Sequence, residues 1–168
     1  CGKLMGSLAD FTAREFGVTR AEQDAFALES HRRAADAQKR GMLAEEITPV
    51  GGVKEDSGVR KDQTMEALAR LKPFFETDGT VTVGNSSQVT DGAAAVIVAP
   101  GEAARAEGRR PLGYLRAYAY AGVPPERMAL GPAHATSKLL AETGMRLQDF
   151  DLIELNEAFA AVVLVNER

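Results

Sequence analysis

The hydrophobic and polar positions in the first part of the chain have the spacing of helices. Thr19 with Glu22 three residues later is a capping-box pattern, in which each side chain satisfies a free backbone amide at a helix start. It predicts a long helix over residues 20–40 that stops at Gly41, a residue type favoured just after a helix. Ser7 predicts the N-cap of a shorter helix before it.

The second half of the chain changes to apolar runs of strand length. Residues 93–99 are continuously apolar, which is typical of a strand buried on both faces of a sheet. Strands are predicted at 80–83, 93–99, 112–121 and 151–155, and further helices at 63–71, 102–107, 133–143 and 157–166. This alternation predicts an α/β fold rather than a β-sandwich or a helix bundle.

Composition and charge exclude several classes of function. The net charge of -4 disfavours sequence-independent nucleic-acid binding, which requires a basic surface. One cysteine and two histidines exclude a disulfide framework and a cysteine-rich zinc site, so we expect no metal. No apolar run approaches the length of a membrane span, and the first residues, Cys1–Leu4, do not have the pattern expected of a signal peptide. We therefore expect a cytoplasmic protein, and a first residue other than Met suggests a piece of a longer chain.

Two polar clusters are candidates for chemistry. Residues 84–92 gather small polar residues between apolar runs, where hydroxyls and backbone amides can face a polar ligand. A plain surface loop is the alternative. Asn156 and Glu157 lie where a predicted strand passes into a helix, which is where open α/β sheets bind ligands. There the Asn156 amide can hold a water or a carbonyl oxygen, and the alternative is an ordinary helix N-cap.

The remaining reactive side chains carry weaker signals. His31 lies among Arg and Ala on the long helix, which favours a solvated or structurally satisfied imidazole. His134 lies at the start of a predicted helix, where the helix dipole favours a neutral ring. Cys1 has no histidine beside it and is not expected to act as a nucleophile.

The second polar cluster resembles a known family motif. Residues 156–160, Asn-Glu-Ala-Phe-Ala, resemble the NEAF motif of thiolases, the acetyl-CoA acetyltransferases and 3-ketoacyl-CoA thiolases. Three further segments resemble thiolase sequences in the family's order, namely residues 5–27, 79–94 and 122–136. The resemblance extends over essentially the whole chain, and it is to an internal portion of a thiolase that lacks both ends.

The resemblance implies a fold and a division of the chain. The thiolase fold is a layered αβαβα arrangement of two similar halves, with a helical loop domain inserted in the first half. Residues 1–89 would be the loop domain and the CoA-contacting segment. Residues 90–111 would end the N-terminal half, and residues 112–168 would start the C-terminal half. The chain is thus expected to be an incomplete portion of that layered α/β fold.

The resemblance also implies an activity. Thiolases are acyltransferases that catalyse the reversible Claisen condensation or thiolysis of 3-ketoacyl-CoA with CoA, which is a substrate rather than a cofactor. They use a nucleophilic cysteine and the histidine of a Gly-His-Pro motif, and neither matches a position here, so we expect the isolated chain to be inactive. The short loop at residues 50–60 favours the fatty-acid degradation type. The alternative is a non-catalytic thiolase remnant that binds CoA weakly or associates with other subunits.

The resemblance assigns the residues of the catalytic cavity. Asn156 matches the asparagine that holds a catalytic water, which stabilises the enolate oxygen together with the absent histidine. Ala158 and Phe159 match positions that line the cavity. Two positions depart from the family pattern. Gln88 lies where many biosynthetic members have Gly, and Val162 lies where most members have Gln. Both departures concern the acyl side and leave the chain length of the substrate open.

Other positions match contacts with the CoA chain. Ser87 matches a serine that contacts pantetheine, and Met5 and Phe75 match apolar residues along the pantetheine and acyl channel. Arg60 matches a position near the CoA nucleotide, where a guanidinium can face a phosphate or stack on adenine. The expected partners are CoA and acyl-CoA, without nucleic acid or membrane, and a homo-oligomer (dimer or tetramer) in the complete enzyme.

Overall fold

The computed structural model describes residues 1–168, and helices are the regular elements of the chain. The helices are α1 (Met5–Glu15), α2 (Arg20–Lys39), α3 (Met65–Ala69), α4 (Gly101–Ala106), α5 (Gly131–Thr143) and α6 (Ala160–Glu167). Two short 3₁₀ segments, Pro125–Leu130 and Leu147–Asp149, precede and follow α5. None of these helices combines the length and the hydropathy needed to cross a bilayer.

Both ends of α2 follow the prediction from the sequence. The Glu22 amide donates to the Thr19 hydroxyl at 3.2 Å, and the Thr19 amide donates to the Glu22 carboxylate at 2.6 Å. Gly41 follows the helix with a φ of +70°, the left-handed conformation that glycine adopts without strain. The prediction of Ser7 as an N-cap is wrong. The amide of Leu8 already bonds to the carbonyl of Leu4, so α1 begins before Ser7, which is buried within it.

The core lies where α1 packs against α6. Small residues on α1, Ala9 and Ala13, are fully buried and let the two helices approach closely. Helix α6 is apolar around most of its circumference, which is the pattern of a helix enclosed by neighbours. The main apolar cluster consists of Ala9, Ala13, Val18, Val81, Ala129, Phe159, Ala161, Val162 and Val165. The core therefore joins the beginning of the chain to its last helix.

Buried polar side chains hold the segment 79–86 against α1 and α2. The Asp10 carboxylate accepts hydrogen bonds from the amide of Thr80 at 2.5 Å and from that of Val81 at 2.9 Å. The Asn85 side chain donates to the Asp24 carboxylate at 2.9 Å and accepts from the Thr82 amide at 2.8 Å. Because the backbone groups of this segment are satisfied by side chains, it is fixed in place without belonging to a sheet.

The four predicted strands form no β-ladder, which corrects the expectation of a layered sheet within this chain. The segments 80–83, 93–99, 112–121 and 151–155 have no strand partner, and the two backbone bridges present are isolated ones. An apolar run predicts a strand because such runs suit burial in a sheet, but a strand exists only where a second backbone supplies hydrogen bonds. In this chain the elements that pack together are helices.

Three of these segments, 93–99, 112–121 and 151–155, lie open to solvent, whereas Val81 and Thr82 in the segment 80–83 are buried. In the segment 93–99, the exposed fractions of Val96, Ile97 and Val98 are 83%, 96% and 85%. The same holds for Leu112, Leu115, Tyr118, Tyr120, Leu152 and Ile153. A contiguous apolar surface of this kind, with free backbone groups beside it, favours association with other chains.

We expect the 168-residue chain alone to self-associate rather than to form a stable monomer. The physical reason is the exposed apolar surface of its unpaired segments. Sedimentation velocity over a range of concentrations measures the association, and urea unfolding measures cooperativity. A monodisperse monomer with a single transition and a slope appropriate to its length would contradict the expectation.

Candidate functional site

An open cavity of about 200 Å³ lies between α2, the segment 84–88 and the residues that precede α6. It brings together parts of the chain that are far apart in sequence, and most of its lining is polar. The lining residues are Phe26, Ala27, Ser30, His31, Gly84, Asn85, Ser86, Ser87, Gln88, Asn156, Glu157 and Ala160. Two of the residues predicted from the sequence, Ser87 and Asn156, are therefore on the same cavity.

A short antiparallel contact sets the position of both residues. The Ser87 amide donates to the carbonyl of Ala158 at 3.0 Å, and the Ala160 amide donates to the carbonyl of Asn85 at 2.9 Å. Ser86 and Phe159 face each other between these bonds as an isolated bridge. This contact carries Ser87 and the residues before α6 to one wall, and the side chains of Ser87 and Asn156 are both exposed there.

The same contact corrects the prediction of a helix over residues 157–166. Helix α6 begins at Ala160, and its N-cap residue Phe159 has an extended backbone with a φ of -144°. The interpretation of Asn156 as a helix N-cap is therefore wrong, because the residue lies several positions before the helix start. Its amide is left available to the cavity instead.

Helix α2 forms the opposite side of the cavity with the apolar residues Phe26 and Ala27 and the polar residues Ser30 and His31. The Ser30 hydroxyl donates to the Glu157 carboxylate at 2.6 Å, which ties α2 to the segment before α6. The His31 Nδ1 accepts a hydrogen bond from the Arg60 amide at 3.3 Å. Partial burial lowers the pKa of His31, and the positive charge of Arg60 lowers it further, while Glu157 acts in the opposite direction. His31 is thus favoured in its neutral form.

Phe75, which was predicted to lie along the channel, packs against Phe159 outside the cavity. The Phe75 ring packs edge-on against the Phe159 ring, with the ring centres 5.8 Å apart. Phe75 also covers Gly6, where an added Cβ would lie 2.2 Å from the ring, so that position accommodates only glycine. Met5, next to Gly6, is exposed, and neither Met5 nor Phe75 lines the cavity. Ala158 contributes its carbonyl to the bond with Ser87.

The cavity wall contributed by α2 was not predicted from the sequence. Phe26, Ala27, Ser30 and His31 have the spacing i, i+1, i+4, i+5, which places them on one face of a helix. Polar Ser30 and His31 next to apolar Phe26 and Ala27 on that face were a usable signal of a surface facing a cavity. His31 was interpreted as solvated or structurally satisfied. It does have a partner, but it also faces the cavity.

Two family models cover the chain. The model described as "Thiolase, N-terminal domain" matches residues 1–102, and that described as "Thiolase, C-terminal domain" matches residues 109–168. The chain is 46% identical to the peroxisomal 3-ketoacyl-CoA thiolase B of Rattus norvegicus, over 95% of this chain and 41% of the relative. It is 45% identical to the acetyl-CoA acetyltransferase of Escherichia coli strain K12, over 97% of this chain and 43% of the relative.

A solved structure has the same fold. The crystal structure of the Bacillus anthracis acetyl-CoA acetyltransferase matches with a TM-score of 0.93 and 39% identity, over 98% of this chain and 44% of that chain. The chain therefore spans about two-fifths of the length of these relatives, one of which is named as a thiolase and two as acetyltransferases. The family predicted from the sequence motifs is confirmed, and so is a thiolase-like fold, without confirmation of the layered sheets. The chain belongs to the thiolase family.

Proposed function

We propose that this chain is the CoA-binding portion of a thiolase, an acyltransferase that converts 3-ketoacyl-CoA and CoA to two shorter acyl-CoA products, or the reverse. The observation that carries the proposal is the convergence of Ser87 and Asn156 on one cavity. The residues come from segments about seventy positions apart and meet through the backbone contact of residues 85–87 with 158–160. Both segments carry thiolase motifs.

The cavity supplies groups suited to two tasks. The Ser87 hydroxyl and neighbouring backbone amides are donors for the amide carbonyls of pantetheine. Asn156 is a neutral amide that can hold a water, which donates a hydrogen bond to the oxygen of the enolate. A neutral amide performs this role by orientation, because it gives no proton to the substrate. Arg60 is exposed and its backbone amide bonds to His31, and we assign its guanidinium to a phosphate of the CoA nucleotide.

The apolar group beside the cavity suits the acyl chain. Phe75 and Phe159 pack at right angles, and Ala158 links them to Ser87 through the backbone. We assign Met5 and Phe75 to the apolar channel for pantetheine and the acyl group, and Ala158 and Phe159 to the lining of the catalytic cavity. The resemblance of residues 56–60 to degradative thiolases favours fatty-acid degradation.

Assembly and location are part of the same proposal. We propose a homo-oligomer in the complete enzyme and a cytoplasmic location. The peroxisomal and bacterial relatives named above come from different compartments, so fractionation of the source cells is the test of location.

The alternative is a non-catalytic remnant that binds CoA weakly or associates with thiolase subunits. The DNA sequence on both sides of the region that encodes this chain distinguishes the two proposals. Codons in frame for a nucleophilic cysteine upstream and for Gly-His-Pro downstream support the enzyme. Stop codons on both sides support the remnant.

Filling the cavity tests the CoA site. We expect Ser87→Phe to weaken the binding of CoA to this chain about tenfold or more, since the ring occupies the space of pantetheine. Isothermal titration calorimetry measures the dissociation constant. Ser137→Phe is the matched control, because Ser137 is exposed on α5 and does not line the cavity. Equal effects of the two substitutions, or no binding to the unsubstituted chain, would contradict the proposal.

A further inference from the structure

The segment that carries Arg60, residues 56–60, is held beside the cavity by three side chains. It contains no helix or strand, so these contacts determine where it lies. The bonds run from Gln38 Nε2 to the Asp56 carbonyl (3.0 Å), from Gln88 Nε2 to the Gly58 carbonyl (2.9 Å), and from the Arg60 amide to His31 Nδ1 (3.3 Å). Gln88 and His31 both line the cavity, and the bond to His31 is the one that holds Arg60.

The bond to His31 differs chemically from the two others. Glutamine amides keep their donors and acceptors at every physiological pH, whereas an imidazole changes them when it binds a proton. Because Nδ1 accepts from the Arg60 amide, the proton of the neutral ring is on Nε2. A second proton would bind to Nδ1 itself, so that the Nδ1–H of His31 and the N–H of Arg60 would both be donors facing each other. The Arg60 amide would then lose its partner.

The charges around His31 favour the neutral ring at neutral pH. The charged groups acting on it are Arg60 from the opposing segment and Glu157 from the residues before α6. Burial and Arg60 lower the pKa of His31, and Glu157 raises it by less. The folded protein therefore binds this proton less readily than the unfolded chain. The bond is fully present above the ordinary histidine range and is lost as the pH falls through the lowered pKa.

We propose that His31 is a pH-sensitive positioning residue that fixes the backbone of Arg60 beside the cavity, and that its protonation frees Arg60 while Gln38 and Gln88 continue to hold Asp56 and Gly58. The effect of this protonation on CoA binding rests on the proposed function, which assigns Arg60 to the CoA nucleotide. The tie between His31 and the Arg60 amide is itself independent of any ligand.

Hydrogen exchange of the Arg60 amide tests the tie directly. The full chain and its variants are compared at the same pH, about 8 and about 5, so that the intrinsic exchange rate cancels. His31→Gln retains an acceptor that does not titrate, and His31→Leu removes the acceptor. At the higher pH we expect the Arg60 amide to be equally protected in the unsubstituted chain and in His31→Gln. At the lower pH we expect it to exchange faster in the unsubstituted chain than in His31→Gln. His31→Leu should exchange fast at both.

The other histidine provides the control. His134→Gln, on α5 and exposed, should exchange like the unsubstituted chain at each pH. The proposal is overturned if His31→Gln and the unsubstituted chain exchange alike at the lower pH, or if His31→Leu keeps its protection at the higher pH.

Ligand binding separates this inference from the proposed function. Dephospho-CoA is the probe, because it has no phosphate monoester that titrates in this range. We expect its affinity for the unsubstituted chain to fall about threefold to tenfold from the higher to the lower pH, the effect of one hydrogen bond, and to change less in His31→Gln. Tighter binding at the lower pH would show that protonated His31 contacts the ligand itself and would overturn the positioning role. If the amide exchange follows the expected pattern but dephospho-CoA binds at neither pH, the hydrogen bond between His31 and the Arg60 amide is supported and the proposed function is overturned.

Discussion

The purified 168-residue chain should produce no thiolysis of acetoacetyl-CoA above the background reaction. Thiolysis begins with attack by a thiolate that a base has activated, and the chain has neither the nucleophilic cysteine nor the Gly-His-Pro histidine of thiolases. Ordinary enzymes turn over on the order of 10 s⁻¹. Removal of a nucleophile or its base from a catalytic unit typically lowers turnover about 10⁶-fold, because the members act together.

The measurement is the loss of acetoacetyl-CoA absorbance after addition of CoA. A full-length thiolase assayed in parallel shows that the reagents are competent. Addition of the chain to that enzyme shows that no inhibitor is present. A rate for the chain that approaches the ordinary value, and that scales with its concentration, would contradict the expectation and require another nucleophile.

In a longer protein that supplies the cysteine and the histidine, Asn156→Ala should lower kcat by about 10²-fold or more. The expected change in KM is small, because the water held by the amide acts on charge that develops during the reaction and not on the bound substrate. Steady-state kinetics with acetoacetyl-CoA separate the two parameters. A change in KM at constant kcat would assign Asn156 to substrate binding instead.

Asn166→Ala is a matched control for the same chemical change. The Asn166 side chain donates to the carbonyls of Ala129 and Val162, each at 2.7 Å, and accepts from the Ala133 amide at 2.9 Å. It joins α6 to α5 and does not line the cavity. We expect its loss to reduce the free energy of unfolding by about 1–3 kcal/mol and to leave kcat unchanged. Equal effects of the two substitutions on kcat would contradict the role of Asn156.

The family and several local elements were predictable from the sequence. The four motifs occur in the order found in thiolases. Their recognition requires only the order of residues along the chain and not the positions of the segments in space. The ends of α2 were predictable because the capping bonds of Thr19 and Glu22 and the turn at Gly41 are completed within a few residues of chain. Gly144, with a φ of +68°, ends α5 for the same local reason.

The tertiary structure decided the elements whose hydrogen-bond partners lie far away in sequence. Residues 157–159 have the composition of a helix start, but the helix begins only at Ala160, because the Ala158 carbonyl and the Ala160 amide bond to the backbone of Ser87 and Asn85. The apolar run 93–99 has the composition of a strand, but no second backbone within the chain pairs with it. The cavity wall on α2 likewise depends on distant segments, since residues 84–88 and the residues around the start of α6 complete the cavity. Local spacing determines what a segment can form, and the contacts with distant backbone determine which of these possibilities it adopts.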